Sequence, residues 1–240
     1  MISIIIPIFN EESILIGSLE KLSLEIETSL KLNEDLEVEV VVCDSKSTDR
    51  SYQLALEFSK NQPKFKVIQC DDDVRSIGRT VTFGAQNASF DNLFILPIDC
   101  YINSKGILEF FKLTRSHYDY GGFGKIYVNQ GALMRLYAKM QNLIRTKMLS
   151  NYVWTNGIIF NKRVFDQVEI PTDGFMEDVI FSDNLKLNYK DHYLGDYLLV
   201  DSRLYDQKGP LKRIFINALI MTLYRLGFKN KDFLKRIYRL

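Results

Sequence analysis

The chain has 240 residues, of which 46% are hydrophobic and 25% charged, an ordinary soluble composition that supports one well-buried globular domain with at most a small appendage. Three cysteines, Cys43, Cys70 and Cys100, without CxxC spacing exclude a disulfide framework, and no stretch approaches the roughly 20 apolar residues of a membrane-spanning helix. The formal net charge of +1 conceals an asymmetry, because residues 203–240 hold ten Lys or Arg against Asp206 and Asp232, leaving this tail at +8 and the remainder at −7.

Residues 2–6 read as a buried strand stopped by Pro7. This start has no charged leader region and is too short for a signal sequence. The polar turn Asn10-Glu11-Glu12 leads into apolar positions 15, 19, 22, 26 and 30, the spacing of a helix with one buried face. Residues 38–43 form a second β-branched run ending on Asp44, and the polar loop after it offers Ser47 or Thr48 as cap for a helix reaching about residue 60. A third strand spans residues 64–69, and the loop Asp71-Asp72-Asp73-Val74-Arg75 precedes a helix over residues 76–88.

Residues 93–101, Leu-Phe-Ile-Leu-Pro-Ile-Asp-Cys-Tyr, are an apolar run that ends on one acid, Asp99, and a helix follows from about residue 104 to 115. Buried parallel strands read as such runs, and ligands of open α/β sheets collect at the carboxyl ends of strands, so Asp99 is a candidate metal or nucleotide ligand. Strands alternating with helices up to about residue 115 predict a parallel sheet covered by helices on both faces, a nucleotide-binding α/β half.

The pattern changes after Tyr120. Gly121-Gly122-Phe123-Gly124 and Lys125-Ile126-Tyr127-Val128 predict a turn and an edge strand, followed by a long amphipathic helix over residues 132–149 in an acceptor-facing half. Residues 154–160 predict a further strand with Asn156-Gly157 at its start, Phe175-Met176-Glu177-Asp178 open a helix to about residue 189, and residues 192–200 predict the last strand. Two helices, residues 210–226 and 231–238, close the chain; residues 214–224 are apolar nearly all round, as expected of a helix buried in protein or lying in a membrane interface. The domain reading is residues 1–203, divided near 115, and a basic helical tail over 204–240.

Neither GxGxxG after the first strand nor GxxxxGK[ST] occurs, which removes support for a dinucleotide-binding dehydrogenase or a P-loop NTPase. The acids at strand ends are Asp44, Asp99 and the pair Glu177-Asp178. Carboxylates there can accept from a base or ribose and hold a hard divalent ion that neutralises a diphosphate. Arg75 and Arg79 add positive charge nearby.

This combination resembles the family 2 glycosyltransferases of GT-A fold, a Rossmann-like, spore coat polysaccharide synthesis protein-like α/β architecture. The start Ile5-Ile6-Pro7-Ile8-Phe9-Asn10-Glu11-Glu12 is similar to the family's strand-Pro-x-Tyr/Phe-Asn-Glu-Glu opening, and residues 41–49 to its Val-Val-Asp-x-x-Ser-Thr-Asp segment. Gly121-Gly122-Phe123-Gly124, Met176-Glu177-Asp178-Val179 and Leu223-Tyr224-Arg225-Leu226-Gly227 resemble a bacterial branch of it. The resemblance implies a mostly parallel sheet with helices on both faces, and an inverting transfer of sugar from a nucleoside diphosphate sugar to an acceptor hydroxyl. It implies that Pro7, Asn10, Glu11, Glu12, Asp44 and Arg79 bind the donor, that Asp99 binds it and a divalent Mn or Mg, and that Asp178 is the general base supported by Glu177. Where the wider family has Asp-x-Asp this chain has Pro97-Ile98-Asp99, and the Arg-Asn-x-Gly pattern reads Arg79-Thr80-Val81-Thr82-Phe83-Gly84.

Other readings stand beside these. Asp44 can cap the next helix, Glu177 and Asp178 can be first-turn helix acids, and residues 71–73 can be a solvated loop. Trp154 and Tyr152 can stack on a sugar or pack in the core, and His117 and His192 receive no role. The chain as a whole can bind nucleotide sugar without transferring it, or serve as a membrane-surface adaptor through its basic tail. The expected location is the cytoplasm, with peripheral contact to the inner face of a membrane, an acceptor that is lipid-linked or otherwise unidentified, and no nucleic-acid partner.

Overall fold

The computed structural model describes residues 1–71, 76–128, 131–200, 209–228 and 230–239. Its first half alternates β1 (Ile2–Ile8), α1 (Leu15–Leu32), β2 (Val38–Asp44), α2 (Ser51–Ser59), β3 (Phe65–Gln69), α3 (Ile77–Asn87) and β4 (Asn92–Ile95). Strand β5 (Cys100–Ile102), α4 (Ser104–Thr114), β6 (Tyr120–Tyr127), α5 (Ala132–Met140), β7 (Ile159–Asn161), α6 (Lys162–Phe165), α7 (Glu177–Asn188) and β8 (Asp191–Val200) follow. Among the described residues the strands form one sheet in the order β3-β2-β1-β4-β7-β6-β8-β5. The first four are parallel neighbours, β6 and β8 are parallel, and β7 and β5 run against theirs.

Burial on both faces explains the near-continuous apolar runs of β1 and β2. Ile2, Ile4, Ile6 and Ile8 pack with Leu15, Leu19, Leu22 and Ile26 of α1 and with Ile107, Phe110 and Phe111 of α4. Ile5 of the same strand points the other way, into Val41, Val81 and Ala85 and the Phe181 and Leu185 face of α7. The two-sided α/β expectation therefore holds, with a mixed rather than uniformly parallel sheet.

Strand β1 runs through Pro7 to Ile8 instead of stopping at the proline, and five further local expectations are corrected. The helix after β2 begins at Ser51 and has no side-chain cap; Ser47 and Thr48 instead contact Asn10, while Asp49 Oδ1 accepts the Ser51 amide at 2.9 Å. Strand β4 stops at Ile95, so Asp99 lies beyond it in a turn closed by the Cys100 amide donating to the Pro97 carbonyl at 2.9 Å. Gly121 to Gly124 are not a turn, and β6 is internal, between β7 and β8. A Cβ at Gly121 would run into the His192 carbonyl and one at Gly122 into the Tyr152 ring, so the glycines mark close approach. Residues 154–160 hold a 3-10 turn (Trp154–Asn156) and left-handed Gly157 before only three residues of strand. The 132–149 helix does form, but its second half, Gln141–Met148, is π-helical.

The penultimate helix, Pro210–Arg225, buries Ile216 and Ile220 against Phe175, and Leu234 of the last helix, Lys231–Arg239, completes that cluster. Arg225 forks onto Asp183 of α7 at 2.9 and 3.0 Å. The boundary expected at 203/204 lies outside the described residues, as do residues 72–75 of the acidic loop. Among the described residues no helix is long and apolar enough to cross a membrane.

Candidate active site

The loops after β1 and β2 are tied together by the residues singled out in the sequence. Asn10, at φ 55°, accepts the Thr48 amide on Oδ1 at 2.8 Å and donates its own amide to Ser47 Oγ at 2.9 Å. The Glu11 amide donates to Ser51 Oγ at 2.7 Å, and Glu12 Oε2 accepts the Arg50 amide at 2.9 Å. These residues build the loop pair; Pro7, one position short of the end of β1, sets its level beside Cys43 of β2.

Asp44 is completely buried at the end of β2. Its Oδ2 accepts the Ser47 amide at 3.0 Å and Gln69 Nε2 at 2.8 Å, while Oδ1 is buried with no hydrogen-bond partner. A buried carboxylate oxygen left unpaired is costly, and such oxygens are normally met by a donor. Asp44 does not cap α2. Arg79 sits in the first turn of α3, and the next residue, Thr80, donates from Oγ1 to Ser45 Oγ at 3.2 Å, joining α3 to the Asp44 loop.

Glu177 is the link between the two halves. Its buried carboxylate accepts Ser76 Oγ at 2.5 Å and the Gly174 amide at 2.6 Å on one oxygen, and the Gly78 amide at 2.8 Å on the other. Ser76 caps α3 and Glu177 opens α7, so a single side chain clamps the two helix starts together and is fully engaged in doing so. Asp178 is left facing the interior space, with Oδ2 accepting the Trp154 amide at 3.1 Å and Oδ1 the Val179 amide at 2.8 Å.

Asp178, Glu177 and Asp99 line one cavity of about 350 Å³, and Asp99 also borders a second of about 610 Å³ against α1. Neither cavity is lined by Pro7, Asn10, Glu11, Glu12, Asp44 or Arg79. Among the described residues no group of three or more His, Cys, Asp or Glu could hold a metal ion. The described residues therefore offer no protein-built cage, but the Asp99 carboxylate does fit Mg²⁺ or Mn²⁺ that keeps phosphate and water ligands and takes one carboxylate from the protein.

The sequence reading missed Lys125. It is 4% exposed in β6 and lines the 350 Å³ cavity, with Nζ 3.5 Å from Thr155 Oγ1. Burial pushes its ammonium from the ordinary 10.5 down to about 7, with Arg145 adding to the fall and Cys100 and Asp178 opposing it. The available signal was parity: Phe123, Lys125 and Tyr127 alternate onto one strand face, and the two aromatics are core residues. Trp154 is 7% exposed, stacks on Phe181 and still lines the cavity, whereas Tyr152 is wholly buried and donates to Asp191, a core role.

The family model of glycosyl transferase family 2 matches residues 3–166. No curated protein sequence matches significantly. Among solved structures, S. aureus TarS in complex with UDP-GlcNAc is 20% identical with a TM-score of 0.67, over 84% of this chain and 58% of TarS. The mannosyltransferase PcManGT from Pyrobaculum calidifontis, in complex with GDP-Man and Mn²⁺, is 14% identical with a TM-score of 0.68, over 99% and 68%. Glucosyl-3-phosphoglycerate synthase from Mycobacterium tuberculosis, in complex with Mn²⁺, UDP-Glc and phosphoglyceric acid, is 15% identical with a TM-score of 0.60, over 96% and 81%. The chain thus spans less than two thirds of the TarS structure, and at these identities the likeness concerns the fold.

Proposed function

The chain belongs to glycosyl transferase family 2, and on that premise we propose that it is an inverting glycosyltransferase using a nucleoside diphosphate sugar. The observation that carries the reading is the shared cavity of Asp99 and Asp178, with Glu177 clamping the helix on which Asp178 sits to the helix carrying Arg79. Met176-Glu177-Asp178-Val179 and the Arg225 fork from the Leu-Tyr-Arg-Leu-Gly segment support the bacterial branch.

In this reading Asn10, Glu11 and Glu12 shape the donor loop, Asp44 accepts from the base through its orphan oxygen, and Arg79 faces the diphosphate. Asp178 takes the proton of an acceptor hydroxyl as the oxygen attacks the anomeric carbon, and the nucleoside diphosphate leaves from the opposite face. A divalent ion held by Asp99 and the diphosphate would supply charge neutralisation to the leaving group. Glu177, saturated by three donors, acts as a positioning residue: it holds Asp178 at the cavity wall, where the acceptor hydroxyl has to be oriented for attack.

The test is thermal unfolding against a panel of nucleoside diphosphates, with and without Mn²⁺. One base is expected to raise Tm by about 5 °C at a hundredfold excess over Kd, through binding to the folded state alone. Asp44→Ala is expected to erase that shift. No shift with any nucleotide overturns the reading; a shift without sugar transfer to any acceptor favours a binding protein over a transferase.

Peripheral membrane contact is proposed as well, because Leu211, Phe215 and Leu219 stand exposed on the penultimate helix beside Lys212. Co-sedimentation with anionic but not neutral vesicles checks it, and equal recovery with both rejects it.

A further inference from the structure

The 350 Å³ cavity holds more positive charge than the transfer chemistry uses. Lys125 enters it from β6, Arg145 from the π-helical segment and Arg213 from the penultimate helix. Lys125 and Arg213 are 4% and 7% exposed. Arg213 donates to the Tyr238 carbonyl at 3.2 Å and lies 3.9 Å over the Tyr238 ring, and Lys125 meets Thr155 Oγ1 and lies over the Tyr127 ring. Among the described residues no carboxylate forms an ion pair with either. Asp99, Glu177 and Asp178 line the same cavity but pair with neither, and Glu177 is already engaged by three donors; a buried cation without an ion pair is electrostatically expensive, and the expense is relieved when an anion enters beside it.

The fold spends local structure to place Lys125 there. Opposite it β8 carries extra residues: Gly122 pairs with Tyr193, Gly124 with Asp196, and Lys125 with Leu198. Asn142 repairs the interrupted ladder, accepting the Lys125 amide on Oδ1 at 3.0 Å and donating from Nδ2 to the Lys125 carbonyl at 3.0 Å and to Asp196 Oδ1 at 2.9 Å. Bulges and π-helical turns re-aim side chains, and here both lie beside one buried lysine.

We propose that Lys125, Arg145 and Arg213 form an anion site for a phosphate group carried by the acceptor, so that the acceptor is a phosphorylated molecule. The inference rests on the transferase reading, since Asp178 must meet the acceptor hydroxyl in this same cavity. The three cations come from elements that carry none of the donor-loop residues, and of the residues assigned to the donor the cavity is lined by Asp99 but by none of Asn10, Asp44 and Arg79. A phosphate carries close to two negative charges at neutral pH and presents several acceptor oxygens, which matches convergent cations better than a single carboxylate does.

The experiment is calorimetric titration of the full chain with inorganic phosphate at constant ionic strength, with acetate and chloride as controls and nucleoside diphosphate measured in parallel. Saturable phosphate binding is expected, weakened about tenfold or more in both Lys125→Met and Arg213→Met, with nucleotide binding retained in both. Arg213→Met removes a packed side chain, so Lys125→Met, which loses a buried charge, keeps the test decisive should the other variant misfold. Absence of phosphate binding in a protein that binds nucleotide overturns this inference alone. So does acetate binding as tightly as phosphate. Joint loss of phosphate and nucleotide binding in the variants assigns the cations to the donor diphosphate and overturns it too. Absence of any nucleotide binding overturns the transferase reading itself.

Discussion

Asp178→Asn is expected to lower kcat for sugar transfer by about two to four orders of magnitude, the usual span for a positioned general base, while nucleotide-induced stabilisation stays at its wild-type value. The replacement keeps the shape and an oxygen that can accept the Trp154 amide, held at 3.1 Å in the native protein. It removes the one property the mechanism needs, a basic oxygen for the acceptor proton. Release of nucleoside diphosphate in the presence of acceptor, measured alongside the thermal shift, separates the two effects. Wild-type turnover in this variant would remove Asp178 from the role of base. Loss of nucleotide binding with turnover would instead mean that the α7 start had moved, because Glu177 next to it anchors α3 through Ser76 and Gly78.

Lys125→Met is expected to stabilise the fold by on the order of a few kcal/mol below neutral pH and to lose that advantage as pH rises. The lysine titrates at about 7 in the folded chain and at the ordinary 10.5 when unfolded. Below about 7 the fold carries a buried ammonium that unfolding returns to water. Between the two values the unfolded chain binds a proton that the folded chain does not, so wild-type stability climbs with pH across that window. The groups that act on the ammonium are Arg145, which adds to its cost, and Asp178 and Cys100, which ease it. Urea unfolding of both proteins at about pH 6 and about pH 9.5 reads the difference. An equal gap at both, or a destabilised variant at the lower pH, would mean that Lys125 is not a strained cation. A residue that costs stability and is nonetheless seated by a bulge and an asparagine clamp is what a binding role leaves behind.

The two-sided arrangement was readable because its cause is local. Ile4 to Ile8 and Val40 to Cys43 are apolar on both faces, and Leu15, Leu19, Leu22 and Ile26 fall on one helix face, so pattern and burial agree. Asp44 was readable as a strand-end acid, and its orphan oxygen gives that placement a physical content. The glycine run was misread as a turn because glycine serves equally where a strand must admit a close neighbour, and only the packing of Tyr152 and β8 distinguishes the two. Asp99 was placed on a strand because Pro97 and Ile98 continue the apolar run, although the ladder ends at Ile95.

Periodicity and strand-end acids along the chain by themselves determined a two-sided α/β sheet and Asp44, Asp99 and Asp178 as the acids to examine, and the resemblance of its motifs pointed to the family, because each depends on residues within one element or loop. The tertiary structure decided which of them meet: Asp99 and Asp178 share a cavity, and Glu177 is occupied in clamping two helix starts that lie 99 to 101 residues apart from their partners in sequence. It also decided that Lys125 and Arg213 face the same space. Charge at a site is a sum over side chains delivered by strands, π-turn and terminal helices from distant parts of the chain, and no window of sequence contains that sum.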